Sequence, residues 1–228
     1  RVVSVAEELA LHAATYWPRW RSSYIANAVS AVHANRIERP AWFGQNNLLA
    51  MGRFVEQKGF DMLLEAFALC APHRCGWHLT ILGEGPLRGV LTAQVTRLGL
   101  ADRVHLPGNV SPPFPLLLGA DLFALSSRYE AFPNALPEAM ACGLPVVSFD
   151  CPSGPADIVR DGVDGCLVPA GDVAALASAM DRLMGDEVLR HRLATRALEV
   201  TERFSPERIL GQWRELIQQV LHERTGTS

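Results

Sequence analysis

The chain lacks any apolar run near the ~18 residues that crossing a bilayer requires, so no segment of it reads as a membrane span. It has no run of basic residues, and its 228 residues carry a formal net charge of −3. Neither nucleic acid nor an anionic membrane surface is therefore a partner that charge would recruit. The five cysteines (Cys70, Cys75, Cys142, Cys151, Cys166) are odd in number and show no metal-ligand spacing, which is the usage of free thiols in a reducing cytosol. The seven histidines form no i,i+4 pair and no His-Glu-x-x-His pattern, so a zinc site is not supported. No Ser-His-Asp or Cys-His arrangement and no internal repeat can be argued. Gly83-Glu84-Gly85 after an apolar run lacks the third glycine of a dinucleotide fingerprint, which tells against a hydride-transfer enzyme. The chain opens on Arg1 with no recognisable signal peptide, and is expected to be a piece cut from something longer.

Apolar content is 49%, ample for a buried core. From Leu48 onward, short apolar runs alternate with helical patterns. Strands are expected at Leu48–Met51, Trp77–Leu82, Arg103–Leu106, Leu122–Leu125, Val146–Phe149 and Gly165–Val168. Helices are expected at Phe60–Cys70, Leu87–Leu98, Ser111–Gly119, a short segment capped by Asn134, Val173–Met184 behind Asp172, Asp186–Arg203, and Pro206 to His222. Such alternation predicts an α/β fold with a doubly wound, mostly parallel, Rossmann-like sheet. Before it, Arg1–Val5 reads as a short strand, Ala6–Trp17 as a helix and Ser23–Val29 as a short strand and turn, while Cys151–Pro155 reads as a rigid loop.

The most informative stretch runs from Ser126 to Asp150. Glu130 precedes a helix start and Glu138 lies one turn into it. Asn134 is a good cap, Pro137 sits where a missing N–H costs nothing, and Gly143 is a stop. A helix N-terminus suits phosphate. A carboxylate can accept two hydroxyls at once, so each glutamate could grip a vicinal diol, and a diphosphate between two diols describes a nucleotide sugar. Further back, Arg53 and Lys58 put two cations on the loop after a strand, at the end of the sheet where open α/β folds bind ligands.

Glu130, seven residues, Glu138, followed by Ala-Met-Ala-Cys-Gly-Leu-Pro-Val-Val, closely resembles the E-x7-E signature of the retaining, group 1 (GT4-like) glycosyltransferases of the GT-B fold. Gly52-Arg53, four residues, Lys58-Gly59 resembles the same family's diphosphate motif. Ala131 stands where a glycine is common and Pro137 where a leucine is common. The resemblance covers Leu48 to Val168 and implies the C-terminal, donor-binding half of such an enzyme, a hexosyltransferase. Residues 1–46 would be the tail of the N-terminal domain and the linker, 47–204 the nucleotide-sugar domain, and 205–228 a closing helix and tail. Trp17, Arg19, Trp20 and Trp42 would lie near the hinge.

By the same resemblance, Arg53, Lys58 and the backbone from Phe132 through Pro133 and Asn134 to Ala135 would face the diphosphate. Glu138 would hold the ribose, Glu130 the donor sugar, and Val110 would lie near the base. Arg53, Lys58 and Glu130 are the expected catalytic set. No metal or other cofactor is implied. The donor is expected to be a UDP sugar, and the acceptor a glycan or lipid-linked hydroxyl supplied through the N-terminal domain, in surface polysaccharide assembly. The implied location is the cytoplasm, with a place at the inner face of the membrane, through peripheral association of a full-length protein, left open. A UDP-sugar epimerase of similar fold and a non-catalytic nucleotide-sugar-binding module remain open at this point.

Overall fold

The computed structural model of the chain describes residues 2–4, 22–32, 40, 43, 44 and 46–225. Its centre is a six-stranded sheet: β3 (Asn46–Met51), β4 (Trp77–Leu82), β5 (Val104–Gly108), β6 (Leu122–Leu125), β7 (Val146–Asp150) and β8 (Gly165–Pro169). The spatial order is β5-β4-β3-β6-β7-β8, and every neighbouring pair is parallel. The chain therefore builds outward in one direction from β3 and then returns to start again at β6. Loops leaving β3 and β6 diverge to opposite faces, and a crevice opens between them at the carboxyl ends of the strands. Two short strands, β1 (Val2–Ser4) and β2 (Ser22–Tyr24), pair in parallel apart from this sheet.

The strands are apolar on both faces because both faces are covered, as a parallel sheet requires. Leu48 and Ala50 face one core with Ile81, Ala124 and Phe149, while Leu49, Phe123 and Leu125 face the other. The first core is closed by α1 (Phe60–Cys70), α2 (Arg88–Arg97), α6 (Val173–Gly185) and α7 (Glu187–Ala197). The second is closed by α3 (Phe114–Gly119), α4 (Ala135–Ala141), α5 (Pro155–Ile158), α8 (Val200–Arg203) and α9 (Pro206–Thr225). Residues 25–29 cross this second face in extended form. Ile25, Ala26 and Val29 are buried there with Phe204, Ile209 and Leu216, and the Val29 amide donates to the Phe204 carbonyl at 2.7 Å.

The expected order of elements holds from Leu48 onward, with local differences there and before it. The helix expected over Asp186–Arg203 is two, α7 and α8, with no glycine or proline at the break. At that break Glu199 is held by Arg160 at 2.8 Å and by Arg196 at 2.9 Å. The strand expected at Ser23–Val29 stops at Tyr24, because the residues after it lie on helices rather than beside another strand. The rigid loop at Cys151–Pro155 leads directly into α5, whose first residue is Pro155, where proline is pre-set for a helix start. The expected helix Ala6–Trp17 and the tryptophans and arginine of the expected hinge (Trp17, Arg19, Trp20, Trp42) lie outside the described residues. The five cysteines are free, and burial pushes the Cys142 and Cys151 thiols up to about 12, so neither is a ready nucleophile.

At the far end of the sheet His78 of β4 and His105 of β5 stack, with ring centroids 5.3 Å apart and His78 Nδ1 3.0 Å from His105 Nε2. One ring must accept the proton the other donates, and burial lowers the pKa of both. Lowered values mean that the unfolded chain binds protons first. The stability these rings contribute is therefore complete above about pH 6.5 and is lost as pH falls below it toward the folded-state values. Denaturant midpoints measured from pH 7.5 to pH 5 should fall, and the slope should flatten in His105→Gln; an unchanged slope in that variant would remove the pair as its source.

Candidate functional site

The loop after β3 and the loop after β6 are stitched together across the crevice. The first runs through Gly52 and Arg53 into a short 3-10 turn at Glu56–Lys58, and Gly59 then starts α1 from the left-handed region (φ 60°). A side chain at Gly59 would strike the Ser126 carbonyl, so only glycine lets the two loops approach this closely. Across the gap, the Ser126 hydroxyl donates to the Lys58 carbonyl at 3.0 Å and the Arg128 amide to the Gln57 carbonyl at 2.8 Å. Gln57 Nε2 donates to the Tyr129 carbonyl at 3.0 Å. The Arg128 guanidinium forks onto both carboxylate oxygens of Asp61 at 2.9 and 2.7 Å and also donates to the Glu56 carbonyl at 2.7 Å. That guanidinium holds the Asp61 carboxyl below its usual range, against the opposing effect of burial.

The result of this stitching is one contact. Lys58 Nζ lies 2.5 Å from Glu130 Oε1, although the two residues are 72 apart in sequence. The Ser127 hydroxyl donates to the same oxygen at 2.6 Å, and the Glu130 amide donates to the Pro152 carbonyl at 3.2 Å. The Glu130 side chain is 6% exposed and that of Lys58 19%, so the pair sits in a wall rather than on a surface. Oε1 of Glu130 is thus taken twice from within the protein, while Oε2 accepts no hydrogen bond among the described residues. Arg53 is exposed and makes no ion pair among the described residues.

The helix start behaves differently from the expectation as well. Asn134 does not cap α4 with its side chain. A cap bonds the second or third amide of the helix. Here the Leu136 amide already donates to the Pro133 carbonyl at 2.9 Å, and Pro137 has no N–H. The Asn134 Oδ1 instead accepts from Asn27 Nδ2 at 2.9 Å, tying the segment after β2 to the head of α4. Gly143 ends the helix in the left-handed region as expected (φ 74°). Glu138 projects from the first turn, half-buried, with no hydrogen bond among the described residues, and burial pushes its carboxyl above the ordinary range.

These features line one cavity of about 410 Å³ at the point where the strand order reverses. Arg53, Lys58, Val110, Glu130, Phe132, Pro133, Asn134, Ala135 and Glu138, all expected from sequence, meet there. Asn109 and Pro113 join Val110 on the third side and were not singled out, since nothing in their spacing marks them. Arg128, Asp61 and Ser127 were also missed; Arg128 and Asp61 are 67 apart in sequence, and no local pattern pairs them. A second cavity of about 450 Å³ lies behind Asn134 and Glu138, lined by residues 28–32, Phe114, Pro137 and Ala141. The chemistry on offer in the first is two cations at one end, two carboxylates at separate places and neutral backbone between them.

Comparison with known proteins identifies the family. The family model described as "Glycosyl transferases group 1" matches residues 45–186. An exopolysaccharide phosphotransferase of Streptomyces coelicolor is 42% identical over 173 residues, 75% of this chain and 18% of that protein. The lipopolysaccharide core biosynthesis glycosyltransferase LpsE of Rhizobium meliloti is 37% identical over 83% of this chain and 54% of its own length. Among solved structures, S. aureus TarM superposes with a TM-score of 0.86 at 25% identity, covering 94% of this chain and 43% of that one. The chain thus spans about half the length, or less, of the curated relatives it matches.

The two halves of the central pair should not contribute independently. Lys58→Met leaves a buried carboxylate unpaired and should lower unfolding free energy by about 2–3 kcal/mol. Glu130→Gln should cost about 1 kcal/mol, and the double variant should fall short of the sum by at least about 1 kcal/mol. Urea denaturation of the four proteins reads all three values; an additive cycle would mean that the contact contributes nothing.

Proposed function

Because the chain belongs to the glycosyl transferases of group 1, we propose that it is the donor-binding half of a retaining glycosyltransferase of surface polysaccharide assembly. Its donor is a nucleoside-diphosphate sugar, UDP-linked, and its acceptor is a glycan or lipid-linked hydroxyl. The observation that carries this reading is the convergence of Arg53, Lys58, Glu130 and Glu138 on one cavity at the switch point. The relative named for lipopolysaccharide core biosynthesis supports the polysaccharide role. TarM, solved with UDP, supports the choice of base.

In this reading the diphosphate lies against Arg53, Lys58 and the backbone of Phe132–Ala135. The base lies by Asn109 and Val110. Glu138 accepts from the ribose hydroxyls, and a ribose diol is the partner its carboxylate lacks among the described residues. Glu130 faces the donor sugar. As the glycosidic bond breaks, negative charge grows on the leaving diphosphate, and the two cations on its side stabilise that charge and lower the barrier. Arg53 and Lys58 fill the part that a metal ion plays elsewhere, and we propose a metal-independent reaction. Acceptor groups come from the preceding half of a longer protein, so the 228-residue chain binds donor and transfers little sugar.

Calorimetric titration with UDP, GDP and ADP tests this directly. Selective UDP binding, weakened by Glu138→Ala tenfold to a hundredfold (about 1.5–3 kcal/mol), is expected; equal binding to the variant would overturn the ribose assignment. The raised Glu138 pKa gives a second signature. A protonated carboxyl loses half its acceptor capacity, so affinity for UDP-glucose should fall as pH drops toward and through the Glu138 value, which lies above 4.5, and the fall should vanish in Glu138→Gln.

A further inference from the structure

Resting on the nucleotide-sugar reading above, we propose that Ser127 is a positioning residue that keeps Oε1 of Glu130 turned into the protein, so that Glu130 meets the donor sugar through Oε2 alone. A carboxylate has about four acceptor sites, two on each oxygen. The Ser127 hydroxyl and the Lys58 ammonium occupy both sites of Oε1, at 2.6 and 2.5 Å. Oε2 takes no hydrogen bond among the described residues, and Glu130 lines the cavity. The two-point chelation of neighbouring hydroxyls, one on each oxygen, is thereby closed. One oxygen remains to meet the sugar.

Ser127 and Lys58 differ in what they fix. Lys58 carries its charge on a flexible four-carbon stem with three rotatable donors, so the lysine by itself does not fix the direction of the carboxylate. Ser127 is 1% exposed, has a single short side-chain torsion, and its neighbour Ser126 is bonded to the Lys58 carbonyl at 3.0 Å. The Glu130 backbone is held on its other side by Pro152. The hydroxyl of Ser127 is thus what keeps Oε1 turned inward, and Oε2 outward, whether or not Lys58 moves. Its spacing from Glu130 carries it to the carboxylate across a turn outside any helix or strand.

The test is calorimetric titration of the 228-residue chain with UDP, UDP-glucose and the four monodeoxy forms of UDP-glucose (2-, 3-, 4- and 6-deoxy). Wild type is compared with Ser127→Ala, Ser127→Thr and Ser127→Cys. We expect one deoxy form to bind wild type roughly tenfold more weakly than UDP-glucose, and that penalty to disappear in Ser127→Ala. Ser127→Thr, which restores the hydroxyl, should recover it, and Ser127→Cys, a weak donor of similar size, should fall between. UDP itself should bind all four proteins alike, which a general loss of structure would not allow. Penalties that persist unchanged in Ser127→Ala, or no penalty in wild type, would each overturn the proposal alone. No UDP binding to wild type would overturn the nucleotide-sugar reading, and this inference with it.

Discussion

The contact between Lys58 and Glu130 is what the rest of the site depends on. It joins the loop that leaves β3 to the loop that leaves β6, the two strands between which the sheet changes direction. A parallel sheet wound both ways leaves a crevice at that point by topology alone. Topology does not set the crevice's width or its charge. Both are set by Gly59 passing beneath the Ser126 carbonyl, by Arg128 gripping Asp61 and by the ion pair itself. A buried ion pair is weak evidence for stability, since desolvation offsets much of the attraction. Its value here is geometric: it holds a cation and a carboxylate of the cleft at a fixed separation.

The four charged groups of the cleft have unequal freedom. Arg53 is exposed and without an ion pair among the described residues, Lys58 and Glu130 hold each other, and Glu138 is half-buried without a partner among the described residues. Burial raises the pKa of Glu138, which means that the charged form is held at a cost in the free protein. A ligand presenting hydroxyls there relieves that cost, while one presenting only phosphate does not. The asymmetry suits a ligand with a charged middle and hydroxylated ends.

Much of this was legible in the sequence, and for identifiable reasons. The strand runs from Leu48 onward are apolar on both faces, which dictates a covered parallel sheet, and the Gly-Arg and Glu-x7-Glu spacings fall on loops at its carboxyl end. That is why the nine expected lining residues share one cavity. What was not legible depends on contacts between distant segments. Arg128, Asp61 and Ser127 carry no spacing signal. Asn134 was assigned a local role that Pro137 removes, because the third amide of the helix is absent and the second is used elsewhere. The break between α7 and α8 has no local marker at all and coincides with ion pairs from Arg160 and Arg196 to Glu199.

The most direct test of the central claim is amide chemical-shift mapping of the isotope-labelled 228-residue chain as a nucleoside diphosphate is added. The account predicts shifts confined to residues 52–59, 109–110 and 126–138, the two stitched loops, the strip by Val110 and the head of α4, with the Lys58→Met variant losing them first at the β6 loop. Shifts centred elsewhere on the described surface, for example on the helices of the opposite face, would contradict it.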